Sequence, residues 1–323
     1  MRAVTFTRVG DPVGVLEINE IPVPAPKPGE VRIRVGSSVI HPADFLFIRG
    51  VYRLKPRFPQ AAGFDGVGTV ETLGAGVDEH LLGRRVAFRA PGAWAEFVIA
   101  PLSRIHLVPD GISDEVACQF ALNPFTAWGL LQEASVPSGG RLLLTAGRSN
   151  VACLAARLAE RRGIRVLLIA RSAAGYDVVD LHGVGNARPS TSLSEALTSV
   201  GEDKGFDAIF DPVGGPGTLA LIDVAAVGGV LITYGVLGDR PFEMNASAIV
   251  YKNLTWRGFG YDRFMSSLDE DSLVRPREEL WDLLRVDPDA VPIRAAYALE
   301  QVEHAVRASA AGGARGKILL RID

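Results

Sequence analysis

The chain has 323 residues, enough for two ordinary domains, each with a core of its own. With 48% hydrophobic residues, 22% charged residues and a formal net charge of -3, it has a globular composition, without the positive excess that draws a chain to nucleic acid or anionic membranes. Cys118 and Cys153 are the two cysteines, too far apart for a Cys-x-x-Cys pair and too few for a disulfide framework.

The amino terminus, "MRAVTFTRVG", has no apolar leader core, and no uncharged apolar stretch reaches membrane-spanning length. A cytoplasmic protein with a small-molecule substrate is expected, with no nucleic acid and no membrane as partner. From Met1 to about Val116 the pattern is short strands and turns. "EVRIRVGS" alternates Val31, Ile33 and Val35 on one face, prolines crowd "IPVPAPKPGE", and "GRRVAF" and "AWAEFVIA" are further strand-like runs. From about Cys118 apolar strands alternate with helical segments: "RLLLTAG", "NVACLAARLAERRG", "IRVLLIA", then "FDAIFD", "GTLALIDVAAVGG" and "VLITYG". Strand, helix, strand predicts a parallel sheet. After "NLTWRGF" the charged segment "MSSLDEDSLVRPREELWDLLR" reads as helix, and "GKILLRI" closes the chain as a strand.

The turn "TAGRSNVA" sits where a dinucleotide-binding fold carries G-x-G-x-x-G, and it reads Gly147-x-Ser149-x-x-Ala152. Each glycine of that motif answers a need for small size. Gly147 is expected to make the tight turn, Ser149 keeps a small side chain and adds a hydroxyl, and Ala152 suits close helix packing. The amides of Ser149, Asn150 and Val151 at the helix start then face an anion; the other reading is a plain strand-to-helix turn that contains one glycine. The next strand, "RVLLIARS", ends in Arg171 and Ser172, where an acid would hold the ribose 2′-hydroxyl of NAD, and an arginine suits a 2′-phosphate. The cofactor expected from this turn is NADPH; the other reading makes Arg171 a solvated surface residue.

With these pieces the chain resembles a family. "VIHPADFLFIRGVYRLKP", "AAGFDGVGTVETLGAGV", "ALNPFTAWGLL", "AGRSNVA", "DPVGG", "LITYGVLG" and "YKNLTWRGF" stand in the order and spacing of the zinc-independent medium-chain dehydrogenases/reductases, over nearly the whole chain. Within that superfamily it is most similar to the 2-enoyl thioester reductases and the NADPH:quinone oxidoreductases, with "NPFTA" and "IVYKNLTWRGF" leaning toward the former. The resemblance implies an α/β chain: a Rossmann doubly wound parallel sheet, residues 119–255, inserted in a GroES-like β-rich catalytic domain made of residues 1–118 and 256–323.

The resemblance also implies that no metal is held. The Cys, His and Cys zinc ligands of the zinc-dependent members fall at His41, Phe64 and Leu122, and neither phenylalanine nor leucine binds zinc. His41 is then a residue of the substrate cleft, where zinc-free relatives carry asparagine. Lacking a Lewis acid, such a site needs a substrate with its own electron sink, a C=C bond conjugated to a carbonyl or a quinone. The implied function is an NADPH-dependent reductase of a 2-enoyl thioester. Quinone or small-enone reduction is the alternative, and a nucleotide-binding protein with little turnover is a second.

Tyr52 falls where the enoyl thioester reductases carry the tyrosine assigned to protonate the α-carbon; it could equally only line the cleft. Asn123 and Thr126 are expected beside the nicotinamide, or as helix caps, or as both. Tyr234 and Gly235 end a parallel strand at its ligand-binding edge, and Asp211 opens a loop of the same edge or a plain turn. Lys252 and Arg257 read as structural. By resemblance, "NLTWRGF" is a sheet edge covered by a second copy in a homodimer.

Overall fold

The computed structural model describes all residues except 183, 186–188, 200–203, 239, 313, 314 and 323. They form two compact units, one from Met1–Asn123 with Arg277–Asp323 and the other from Pro124–Pro276. The first unit begins with β1 (Arg2–Phe6), a single helical turn α1 (Pro12–Val15) and β2 (Glu17–Glu20). The long β3 (Glu30–Val39) follows, and Val31, Ile33 and Val35 are all buried on its inner face, as the alternation predicts.

Helix α2 (Pro42–Ile48) starts where proline can sit without losing a needed donor, and the Asp44 carboxylate accepts from the His41 amide at 2.6 Å, closing the helix start. Then come β4 (Gln60–Ala61), β5 (Asp65–Leu73), β6 (Arg85–Arg89), β7 (Phe97–Pro101), β8 (Ile105–Leu107) and α3 (Asp114–Ala117).

The second unit takes in α4 (Asn123–Ala134) from Pro124 on, then β9 (Arg141–Leu144), α5 (Asn150–Arg161), β10 (Arg165–Ser172) and β11 (Gly175–Val179). It continues through α6 (Leu193–Ser199), β12 (Phe206–Asp211), α7 (Thr218–Val224), β13 (Ala225–Thr233), α8 (Ser247–Val250), β14 (Thr255–Gly258) and α9 (Tyr261–Ser266). Its six strands lie in the order β11-β10-β9-β12-β13-β14, and all neighbours pair parallel except β10 and β11. Leu142, Leu143 and Leu144 of β9 are fully buried, the mark of a central strand covered on both faces.

Two features depart from the sequence reading. The chain returns from β10 directly as an antiparallel hairpin, with Ser172 opposite Gly175 and Arg171 opposite Tyr176. Gly175 makes this possible: it has φ +133°, and a Cβ there would lie 2.1 Å from the Ser190 carbonyl oxygen. The charged segment read as helix from Met265 contains the break between two helices: its first two residues end α9, and α10 (Glu270–Val286), which covers most of it, starts afresh after Asp269, whose carboxylate accepts from the Ser272 amide at 2.8 Å.

The chain is back in the first unit from Arg277, within α10, and continues with β15 (Ile293–Ala298), α11 (Val302–Ala310) and β16 (Lys317–Arg321). These strands extend a seven-stranded sheet in the order β15-β16-β3-β5-β6-β8, with β7 also pairing β3; β2, β1 and β4 form a separate three-stranded sheet. The core between them is aromatic, with Phe6, Phe47, Phe88 and Trp94 fully buried. Among the described residues no helix is long and apolar enough to cross a membrane.

Candidate active site

In the first unit the ring of Tyr52 lies half-buried against Phe64, centroid to centroid 5.7 Å, and Phe64 in turn packs on Phe47 at 4.9 Å. Phe64, which the resemblance put at a zinc-ligand position, is thus an apolar ring packed against two others. Beside these rings runs a chain of polar groups drawn from distant parts of the sequence. Arg89, at the end of β6, pairs with the carboxylate of Asp65, at the start of β5. Its guanidinium lies 5.2 Å from the Phe64 ring centre, and its Nη2 donates a long hydrogen bond of 3.5 Å to the Tyr52 hydroxyl oxygen. His41 Nε2 stands 3.7 Å from the Asp65 carboxylate. Tyr52 and His41, two residues picked out from the sequence, thus meet through Asp65 and Arg89.

Burial sets the charges of this group. It holds His41 well below its ordinary value, with Lys317 and Arg89 adding to the effect, so His41 is neutral and its contact with Asp65 is not an ion pair. Burial raises Asp65 to about 6 against the pull of Arg89, and raises Asp44 to about 7 despite the His41 amide. Lys317 is lowered to about 8 as its ammonium loses solvent, with Asp44 and Asp65 opposing the shift. His41 Nε2, Asp44 Oδ1 and Asp65 Oδ1 are buried without a hydrogen-bond partner among the described residues.

In the second unit the turn between β9 and α5 differs in detail from the sequence expectation. Ala146, with φ +48°, makes the left-handed bend assigned to Gly147. Gly147 is needed instead for close approach, since a Cβ there would lie 2.9 Å from Leu168 Cβ and 3.0 Å from Val179 Cγ2. Ser149 caps α5, its hydroxyl accepting from the Ala152 amide at 3.2 Å, so that oxygen is already engaged in the helix start. Buried Asn150 and half-buried Val151 form the first turn of α5.

Around this turn stand the other residues of the nucleotide reading. Arg171 is exposed at the end of β10, and Ser172 is drawn into the hairpin turn, its hydroxyl donating to the Gly175 carbonyl at 3.3 Å. Tyr234 and Gly235 follow β13; a Cβ on Gly235 would lie 2.5 Å from the Pro212 carbonyl oxygen, so two loops touch at the carboxyl edge of β12 and β13. The Tyr234 phenol is pushed up by burial and by the Asp211 charge, and its hydroxyl lacks a well-formed hydrogen bond among the described residues.

Asp211 serves its own loop, accepting from the amides of Val213 at 3.0 Å and Gly214 at 2.9 Å and from the Thr145 hydroxyl. Lys252 donates to the Ala225 carbonyl at 2.8 Å and Arg257 pairs with Glu133 at 2.7 Å, so both tie elements of the second unit together. Asn123 and Thr126 occupy the first turn of α4; both are buried, and Asn123 Nδ2 has no hydrogen-bond partner among the described residues.

Sequence reasoning missed Asp44, Asp65, Arg89 and Lys317, because no local pattern joins them. Arg148 and Asp177 were missed as well. Arg148 Nη2 lies 3.1 Å from Asp177 Oδ2, and its Nη1 donates to the Arg171 carbonyl at 3.2 Å. No group of three or more His, Cys, Asp or Glu among the described residues is arranged to hold a metal.

Comparison with known proteins matches residues 27–110 to the alcohol dehydrogenase GroES-like domain and residues 151–270 to the zinc-binding dehydrogenase family. The chain is 27% identical to the mitochondrial enoyl-[acyl-carrier-protein] reductase of Arabidopsis thaliana over 82% of this chain and 73% of that protein. It is 26% identical to the quinone oxidoreductase of Sus scrofa over 99% of this chain and 97% of that protein. Among solved structures, the quinone oxidoreductase of Thermus thermophilus, determined also in complex with NADPH, superposes with a TM-score of 0.78 at 27% identity, covering 99% of this chain and 100% of that one. The chain belongs to the zinc-independent medium-chain dehydrogenases/reductases, in the group of enoyl reductase-like and quinone oxidoreductase-like members, and is an oxidoreductase.

Proposed function

We propose that the protein is an NADPH-dependent reductase of activated C=C bonds, with a 2-enoyl thioester as substrate. The observation that carries this reading is the Tyr52 hydroxyl beside the buried Arg89–Asp65 pair, and the collinear resemblance, which puts Phe64 and Leu122 at zinc-ligand positions, supports it. In the second unit α5 presents its amino-terminal amides and Gly235 leaves no Cβ between two loops at the sheet's carboxyl edge, which fits the cofactor; Asn123, at the start of α4, has an amide donor without a partner among the described residues.

Bound NADPH supplies hydride to the β-carbon of the conjugated bond. The α-carbon then needs a proton, and Tyr52 is the group proposed to give it. Because Arg89 donates to the phenol oxygen, the phenol's own hydrogen stays available for transfer, and the adjacent guanidinium stabilises the negative charge left behind. Asp65 holds Arg89 in that position. Asn123 and Thr126 orient the nicotinamide, His41 lies by the substrate, and Arg171 with Ser149, Asn150, Val151, Ser172, Tyr234 and Gly235 holds the nucleotide, residues 119–255 forming its binding domain and residues 1–118 and 256–323 the catalytic one.

A quinone or small enone is the second reading, favoured by the nearly full-length match to the quinone oxidoreductase of Sus scrofa. The two separate in a turnover panel. NADPH oxidation driven by 2-enoyl-CoA at a higher kcat/KM than by 1,4-benzoquinone supports the first, and the reverse order supports the second. The exposed backbone edge of β14, last in its sheet, is proposed to pair with a second copy; light scattering should give about twice 34.5 kDa, and a monomer mass would reject the dimer.

A further inference from the structure

We propose that Arg148 and Asp177 form the element that selects between the phosphorylated and unphosphorylated nicotinamide nucleotides; this rests on the cofactor reading above. Doubly wound folds bind the adenine-side ribose at the carboxyl end of the strand that follows the glycine-rich turn, here β10, and an acid at that place accepts from the ribose 2′-hydroxyl. No acid stands on β10 itself. The hairpin brings one in from the side: Asp177 on β11 is the cross-strand partner of Ala170, one residue before Arg171.

Asp177 is 7% exposed, and its Oδ1 has no hydrogen-bond partner among the described residues. Its other oxygen is taken by Arg148, which reaches over from the β9–α5 turn and also donates to the Arg171 carbonyl. Gly147 makes this reach possible, since its missing Cβ lets the turn lie against Leu168 and Val179, on the same two strands as Arg171 and Asp177. Two arginines, Arg148 and Arg171, are therefore gathered with one carboxylate at the ribose end. With Arg148 in place, the carboxylate is neutralised and the site favours a 2′-phosphate. With Arg148 removed, Asp177 repels that phosphate and accepts from a free 2′-hydroxyl instead.

The test is calorimetric binding of NADPH, NADH and adenosine 2′,5′-bisphosphate to the full chain. The unmodified protein should prefer NADPH. Arg148→Ala should weaken NADPH and the bisphosphate about tenfold or more, the range for a lost hydrogen bond to a charged group, and leave NADH equal or tighter. Adding Asp177→Asn to that variant should return part of the lost NADPH affinity and remove any NADH gain. Unchanged thermal unfolding of Arg148→Lys, with an intermediate NADPH affinity, guards against a folding defect in the alanine variant. If Arg148→Ala weakens NADPH and NADH alike, or leaves the preference intact, the selectivity role is overturned while the cofactor reading stands. If the unmodified protein binds neither nucleotide, both fall.

Discussion

The two units handle charge in opposite ways. In the first, Asp44, Asp65 and Arg89 are buried beside aromatic rings, and their states are set by loss of solvent. In the second, Arg171 is exposed and Arg148 partly so, at the end of a sheet where an anionic ligand can reach them. Buried charge of the first kind costs stability when unpaired and gains leverage on a neighbouring proton; exposed charge of the second kind costs little and is free to serve recognition. On the proposed function, catalysis and cofactor choice rest on groups with different physical sensitivities, and substitutions should separate them.

The largest effect is expected at Arg89. Arg89→Met leaves the Asp65 carboxylate buried without its cation and should cost about 3–5 kcal/mol in denaturant unfolding, whereas Arg171→Ala in the exposed set should leave stability nearly unchanged. A loss no greater at Arg89 than at Arg171 would erase the contrast.

Tyr52→Phe removes only a hydroxyl. Enoyl thioester turnover should fall about 10²-fold, the usual worth of a positioned general acid, with NADPH affinity unchanged and quinone turnover reduced much less. Steady-state kinetics beside calorimetry would show it.

Asp44 sharpens the comparison through pH. Its folded value of about 7 lies above that of an unfolded aspartate, so its contribution to stability is complete below about pH 4 and is lost as pH rises through 7. Asp44→Asn removes that loss, so the variant should gain stability relative to the unmodified protein as pH rises from about 5 to about 8 in paired unfolding curves. His41, depressed in the folded state, carries the opposite sign: its contribution is present above about 6.5 and lost as pH falls. It is common to both proteins and cancels in the difference. The smallest effect is Arg171→Ala on cofactor choice, about tenfold in the ratio of NADPH to NADH affinity.

Much of the frame was legible in the sequence because it rests on local pattern. The Val31, Ile33, Val35 alternation and the run at Leu142–Leu144 each declare their burial, whereas the helix Pro42–Ile48 fell in a stretch that read as strands and turns. What could not be read depends on partners far along the chain. Gly175 matters because of the Ser190 carbonyl, and Gly147 because of Leu168 and Val179, so the glycine expected to make the turn instead makes room while Ala146 bends. The Tyr52 neighbourhood draws on β5 and β6, far along the chain, and nothing in either segment marks Asp65 or Arg89 as belonging beside a phenol.

The central claim is hydride and proton addition across the C=C bond of an enoyl thioester, and product analysis in deuterated water tests it most directly. With NADPH and a 2-enoyl-CoA, the account predicts the saturated thioester carrying one deuterium, on the α-carbon and in a single stereochemical sense, as NMR would resolve. Unreduced thioester after extended incubation, with NADPH consumed only when a quinone is supplied, would contradict it.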